Sequence, residues 1–237
     1  MNKKTLFITV PFALAMQFLQ TSVVQAKIVD IEITNLTHAM HFTPLLVTAH
    51  SSDMSLFVSG QEASSELQAM AEGGDISGLE NILSGTSAST SANPAAGLLA
   101  PTTSTMVNDL DTGDNTRLSI VGMILPTNDG FVGLDSWEIP STPNNYTIYL
   151  NAYDAGTEAN DEIVNGGGAP GNAGIPAIPG VEVATTASGV TSSELNTLIH
   201  IHRGNVGDID TAGGISDLDS RIHRWLNPVA KVVVTVK

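Results

Sequence analysis

Arg117–Leu125 reads RLSIVGMIL and runs directly into Pro126-Thr127-Asn128-Asp129-Gly130-Phe131-Val132-Gly133-Leu134-Asp135. The nine-residue stretch is apolar on both faces. A strand with one solvated face alternates apolar and polar residues, whereas a strand covered on both sides does not. The stretch therefore predicts a central strand of a sandwich. Tyr146–Tyr153, YTIYLNAY, is a second strong strand, rich in residues that favour the pleated state.

Weaker signals lie on either side. In Lys27–Thr34, Val29, Ile31 and Ile33 share one face opposite Asp30 and Glu32, the pattern of a half-buried strand. Leu198–His202 and Val229–Val236 complete the clear strands. Ser64–Glu72 predicts a short helix capped by Ser64 or Ser65, with Leu67, Met70 and Ala71 inward and Gly73-Gly74 ending it. Gly78–Ser84 predicts a second helical turn with Leu79, Ile82 and Leu83 inward. Gly85–Ala96 and the Gly/Pro-rich Asn165–Gly180 predict surface loops. Short strands, long turn-rich connections and one or two short helices indicate an all-β fold, an antiparallel β-sandwich of about eight strands.

Composition narrows the function classes. The 237 residues contain no cysteine, so disulfides, thiolate zinc sites and iron–sulfur clusters are excluded. Nine Lys and Arg face 24 Asp and Glu, a formal charge of −15, which argues against a nucleic-acid partner. The N-terminus resembles an export signal: Lys3-Lys4, a mostly apolar Leu6–Leu19, and the small-residue site Val24-Gln25-Ala26. The expectation is a signal peptide over 1–26, a single domain over 27–237, no stable membrane span after cleavage, and a secreted or periplasmic location.

Acidic residues gather at strand ends. Asp129 follows the Arg117–Leu125 strand, and Asp154 and Glu158 follow Tyr146–Tyr153 in Tyr153-Asp154-Ala155-Gly156-Thr157-Glu158. If the two strands share a sandwich, both turns can emerge at one end, with Gly156 permitting the tight turn. Carboxylates facing one point repel unless a cation neutralises them, and such hard oxygen donors suit Ca²⁺ ahead of Mg²⁺ or Mn²⁺. On spacing alone, ordinary solvated turn acids are the plainer explanation.

Four segments occur in the order of a known family: His50-Ser51-Ser52-Asp53, Ala71-Glu72-Gly73-Gly74-Asp75, Pro126–Asp135 and Tyr153–Glu158. With Asn35-Leu36-Thr37 and Pro228-Val229-Ala230 they make nearly the whole exported chain resemble the spondin N-terminal domain family, known from F-spondin, mindin and bacterial secreted proteins. The resemblance implies a β-sandwich related to calcium-dependent phospholipid-binding domains, with a divalent cation held by carboxylates at one end. The matching motifs place the metal-binding acids on Asp129, Asp154 and Glu158, the last an aspartate in animal members. A fourth acid precedes the central strand in those members; Asp109, Asp111 and Asp114 are the candidates here, and Asp111 is favoured.

Other constellations are weaker. Asp109-x-Asp111-x-Gly113-Asp114 lacks the acid of a helix–loop–helix calcium loop, because Ile120 stands at position twelve. Asp208, Asp210, Asp217 and Asp219 are expected to form a solvated acidic loop rather than a second cation site. His200 and His202 share a strand face and, with His223, suggest zinc or copper only as a minor alternative. His50 beside Ser51, Ser52 and Asp53 is expected to order a turn, and burial is expected for at least one of Trp137 and Trp225. No hydrolase elbow, HExxH helix, P-loop or dinucleotide fingerprint is present. The resulting expectation is a non-enzymatic, divalent-cation-binding domain with an adhesion or recognition role toward a surface or matrix protein or glycan. The alternative is an exported metal-dependent hydrolase using the same carboxylates.

Overall fold

A computed structural model describes residues 26–177, 185–210 and 212–237. The two-faced stretch is a central strand, β6 (Arg117–Leu125), and its side chains divide by parity. Leu118, Ile120 and Ile124 enter the core between the sheets, while Val121, Met123 and Leu125 enter a second core beneath two helices. Both faces are apolar because both are covered.

Nine further strands surround it: β1 (Ile28–Asn35), β2 (His41–Phe42), β3 (Leu46–His50), β4 (Ser89–Ala92), β5 (Ser104–Asp111), β7 (Gly130–Glu138), β8 (Asn144–Asp154), β9 (His200–Ile201) and β10 (Ala230–Val236). Their pairings are antiparallel, in the order β4-β3-β6-β7-β8-β10-β1-β5, with β2 joining β6 and β9 joining β8. β8 serves both sheets. Its Asn144–Leu150 portion pairs with β10, and Asn151–Asp154 pairs with β7. The outermost strands β4 and β5 approach one another, so the sandwich is close to a closed barrel.

The helices are α1 (Ser65–Gly73) and α2 (Ser77–Ser84). Ser64 caps α1 by accepting a hydrogen bond from Leu67 N at 3.1 Å. Gly74 ends it in the left-handed region, at φ 72°. Leu67, Met70, Leu79 and Leu83 pack onto the β6 side of the sheet with Phe131 and Ile199. Ile82, expected inward, is 49% exposed, because the helix turns its Leu79–Leu83 edge to the core.

The Gly85–Ala96 segment, expected to be a loop, contains β4. Its Ser-Thr-Ser-Ala sequence carries no apolar signal, and pairing with β3 holds it in place. The segment 1–25, which holds most of the expected export signal, lies outside the described residues, as do 178–180 of the expected Gly-rich loop.

Candidate metal centre

β7 lies between β6 and β8 in the sheet, so the turn before β7 and the turn after β8 reach the same end of the sandwich. The register sets Gly130 opposite Asp154, and Ala155 N donates to the Asp129 carbonyl at 3.2 Å. Gly156 has φ 71°, and a Cβ there would meet the backbone of Asn196 and Thr197. Only glycine lets the chain turn this closely toward Glu158.

Asp129, Asp154 and Glu158 are all buried, at 0%, 2% and 6% exposure. Asp129 Oδ2 accepts from Thr157 N at 2.8 Å, Glu158 N at 3.2 Å and Thr157 Oγ1 at 3.2 Å. Asp154 Oδ1 accepts from Gly156 N at 2.9 Å, and its Oδ2 accepts from Asn160 Nδ2 at 2.8 Å. Glu158 Oε2 accepts from Gly174 N at 3.2 Å and Asn128 Nδ2 at 3.3 Å. The second oxygens of two of these groups, Asp129 Oδ1 and Glu158 Oε1, are buried with no hydrogen-bond partner.

Burial and the neighbouring Asp154 charge push the Asp129 carboxyl up to about 8, against the pull of the Thr157 and Glu158 amides. Burial likewise pushes Glu158 up to about 7; Gly174 and Asn128 oppose the rise, while Glu72 and Asp161 add to it. The three acids thus share one electrostatic pocket. Among the described residues no group of three or more His, Asp or Glu is arranged so that it could hold a metal ion.

Asp111 is not brought to this pocket. It pairs with Ile28, whose neighbour Val29 pairs with Val236, and Val236 pairs with Asn144. Asp111 is therefore level with the first residue of β8, while Asp154 is the last. At about 3.3 Å per residue the two ends lie roughly 30 Å apart. Asp111 is exposed, and its Oδ1 accepts from Gly113 N at 2.9 Å.

Several supporting residues were not singled out from the sequence. Glu72 is buried on α1 and accepts from Gln68 Nε2 at 2.7 Å and Gly171 N at 2.8 Å. Glu162 is a hub for the loops, accepting from Val206 N at 2.5 Å, Gly207 N at 2.8 Å and Ser216 Oγ at 2.6 Å. Asn128, directly before Asp129, was legible as a partner only through that adjacency. The acidic loop expected to be solvated is more ordered than that. Asp217 accepts from Val164, Thr186 and Ala187 amides, and Asp208 from Asp210, Ile215 and Ser216 amides. His50 is buried; its Nδ1 donates to Ser51 O at 2.9 Å and its Nε2 accepts from Ser119 Oγ at 2.7 Å, tying β3 to β6. Trp225 is buried against His202, with ring centroids 4.9 Å apart.

The Spondin_N family model matches residues 34–163, more than half of the chain. The chain belongs to the spondin N-terminal domain family. The match places it among domains of the extracellular type. Asp129, Asp154 and Glu158 all fall within the matched span of this spondin domain, whereas β9 and β10 follow it. No curated protein matches the chain. Among the described residues of the spondin domain, no helix is long and apolar enough to cross a membrane.

Proposed function

We propose that this spondin domain is exported and non-enzymatic, and that it binds a divalent cation through Asp129, Asp154 and Glu158. The site serves adhesion or recognition toward a surface or matrix protein or glycan. The observation carrying this reading is the pair of buried carboxylate oxygens, Asp129 Oδ1 and Glu158 Oε1, that no protein group satisfies. An unsatisfied buried polar atom costs about 1–3 kcal/mol, more when charged. A cation would supply what both lack, and an all-carboxylate donor set ranks Ca²⁺ first. An activating metal must face its substrate, and acids this deeply buried face the protein, so binding is preferred to hydrolysis.

Calorimetric Ca²⁺ titration and thermal melting test the reading. A ligand that binds only the native state stabilises it by about 2.7 kcal/mol at a hundred times its dissociation constant. Chelator should lower the melting temperature and Ca²⁺ restore it, while Asp154→Asn should blunt the response. Asp111→Asn, at the far end of the sandwich, should leave it intact. Identical melting in chelator and in Ca²⁺ would refute the site.

A further inference from the structure

β7 and β8 part company halfway along their length. Their ladder runs from Gly130↔Asp154 to Gly133↔Asn151 and ends there. From Leu134 onward β7 stays with β6, and from Leu150 back to Asn144 β8 stays with β10. A cleft of about 320 Å³ opens in the fork, at the lower end of the range for small-molecule sites.

Its floor is the outer face of the sheet, where side chains two apart line up. The helix-covered core takes in Phe131 and Tyr153 and ends at them. Gly133 and Asp135 on β7, and Asn151 and Tyr149 on β8, continue that face into the cleft. Gly133 makes the hollow, because a Cβ there would stand 2.7 Å from Phe57 Cζ and 3.0 Å from Tyr153 Cδ2. Phe57 packs edge-on to Tyr153, centroids 4.9 Å apart, and Tyr153 stacks on Phe131 at 5.6 Å, so the Tyr153 ring is held in place. Tyr149, by contrast, is 60% exposed.

Three polar groups converge beside these rings. Asp135 Oδ1 accepts from Ser55 Oγ at 2.5 Å and Ser136 Oγ at 3.0 Å, which fixes the carboxylate. Burial and the Asp135 charge push the Tyr153 hydroxyl above its ordinary value, and a hydrogen bond with Asn151 opposes the rise, so hydroxyl, carboxylate and amide lie close together. Together they offer both donors and acceptors. A sugar ring has the matching chemistry, an apolar C–H face for an aromatic ring and a rim of hydroxyls that both donate and accept. Asp135 is the one charge on the lining, and it is negative, as is the chain at −15, so an anionic glycan is disfavoured.

We propose that the fork between β7 and β8 is a binding site for a neutral glycan, with Tyr149 as the stacking surface and Asp135, Asn151 and Tyr153 as the hydroxyl-reading groups. This rests on the recognition role proposed above and names its partner class, but none of the three buried acids lines the cleft.

The test is amide-shift titration of the ¹⁵N-labelled chain, in chelator, with trisaccharides of glucose, galactose, mannose and N-acetylglucosamine. A heparin tetrasaccharide and an alternating threonine–valine peptide run in parallel, to probe anionic glycans and strand addition. At least one neutral trisaccharide should shift 133–135 and 149–153 saturably. Tyr149→Ala removes the stacking surface and should weaken it about tenfold. Asp135→Asn keeps the shape but loses a charge-assisted bond, and should weaken it roughly fivefold. Leu226→Ala, 83% exposed but outside the cleft, should change nothing. Circular dichroism melts establish that the variants fold. The inference fails if no neutral sugar shifts the fork, if Tyr149→Ala leaves affinity unchanged, or if heparin or the peptide binds there in the sugars' place. Any of these results leaves the cation reading to its own Ca²⁺ titration, and absence of Ca²⁺ binding leaves the sugar titration to stand alone.

Discussion

Asp129 shows how one side chain can be both well held and costly. Three donors from Thr157 and Glu158 fix Oδ2, yet Oδ1 faces no donor, and burial beside Asp154 favours the protonated form. The sign of the pH dependence follows. Asp129 and Glu158 hold protons to about 8 and about 7 in the fold, against about 4 in an unfolded chain. Between these limits the native state binds more protons than the unfolded state, so in chelator stability should fall as pH rises from about 4 to about 8. Saturating Ca²⁺ should flatten that fall, because the cation replaces the protons. Asp129→Asn keeps an acceptor for the Thr157 and Glu158 amides and places a donor where the free oxygen was. In chelator at pH 8 it should melt at or above the wild type while losing the Ca²⁺ response; a lower melt with the response retained would contradict this account. Residue-scale chemistry was partly legible. Asp129, Asp154 and Glu158 stand beside strong strands, but the loop before β6 offered three acids and no register, so nothing local distinguished the far end of the sandwich from the near one.

Elements were legible in proportion to how much of their stability comes from side chains. β6, β8 and β10 carry apolar or β-favouring runs, and α1 carries its own cap and stop, Ser64 and Gly74. β4 and β5 lie at the outer positions of the sheet order with mostly polar sequences, and β7 begins inside a Pro-Thr-Asn-Asp-Gly turn. Backbone ladders supplied by neighbours hold these strands, and a single sequence does not display them. The helices matter to the site because α1 carries Glu72 close enough to raise the Glu158 carboxyl. Leu67→Ala, in the core beneath α1, should lower stability by about 2–5 kcal/mol in urea denaturation. Ile82→Ala, on the solvent side of α2, should stay within about 0.5 kcal/mol. Equal effects would mean that α2 does not present the face described.

At the scale of the molecule, the acidic pocket and the loops around it form one end of the sandwich. Asn205 donates to the Pro126 carbonyl, Asn128 accepts from Glu162 N, and Glu162 gathers the chain at Val206, Gly207 and Ser216. A cation at Asp129 and Glu158 should therefore slow amide exchange across 126–130, 154–164 and 205–217. It should leave 109–116 and 137–144, at the opposite end, unchanged. Uniform protection of both ends would indicate global stabilisation without a local site. β8 gives this arrangement a rigidity of its own, because its first seven residues are hydrogen-bonded in one sheet and its last four in the other. A covalent strand common to both sheets works as a single ruler. Inserting one residue near Leu150 would turn every later side chain to the opposite face, carrying Asp154 out of the pocket and breaking the match with β7, while the β10 pairing stayed in step. The same insertion in β4, which pairs only with β3, would be a local fault. Length variation among homologous chains should accordingly collect at the open edges and in the loops, and the interval from Asn144 to Asp154 should keep its count.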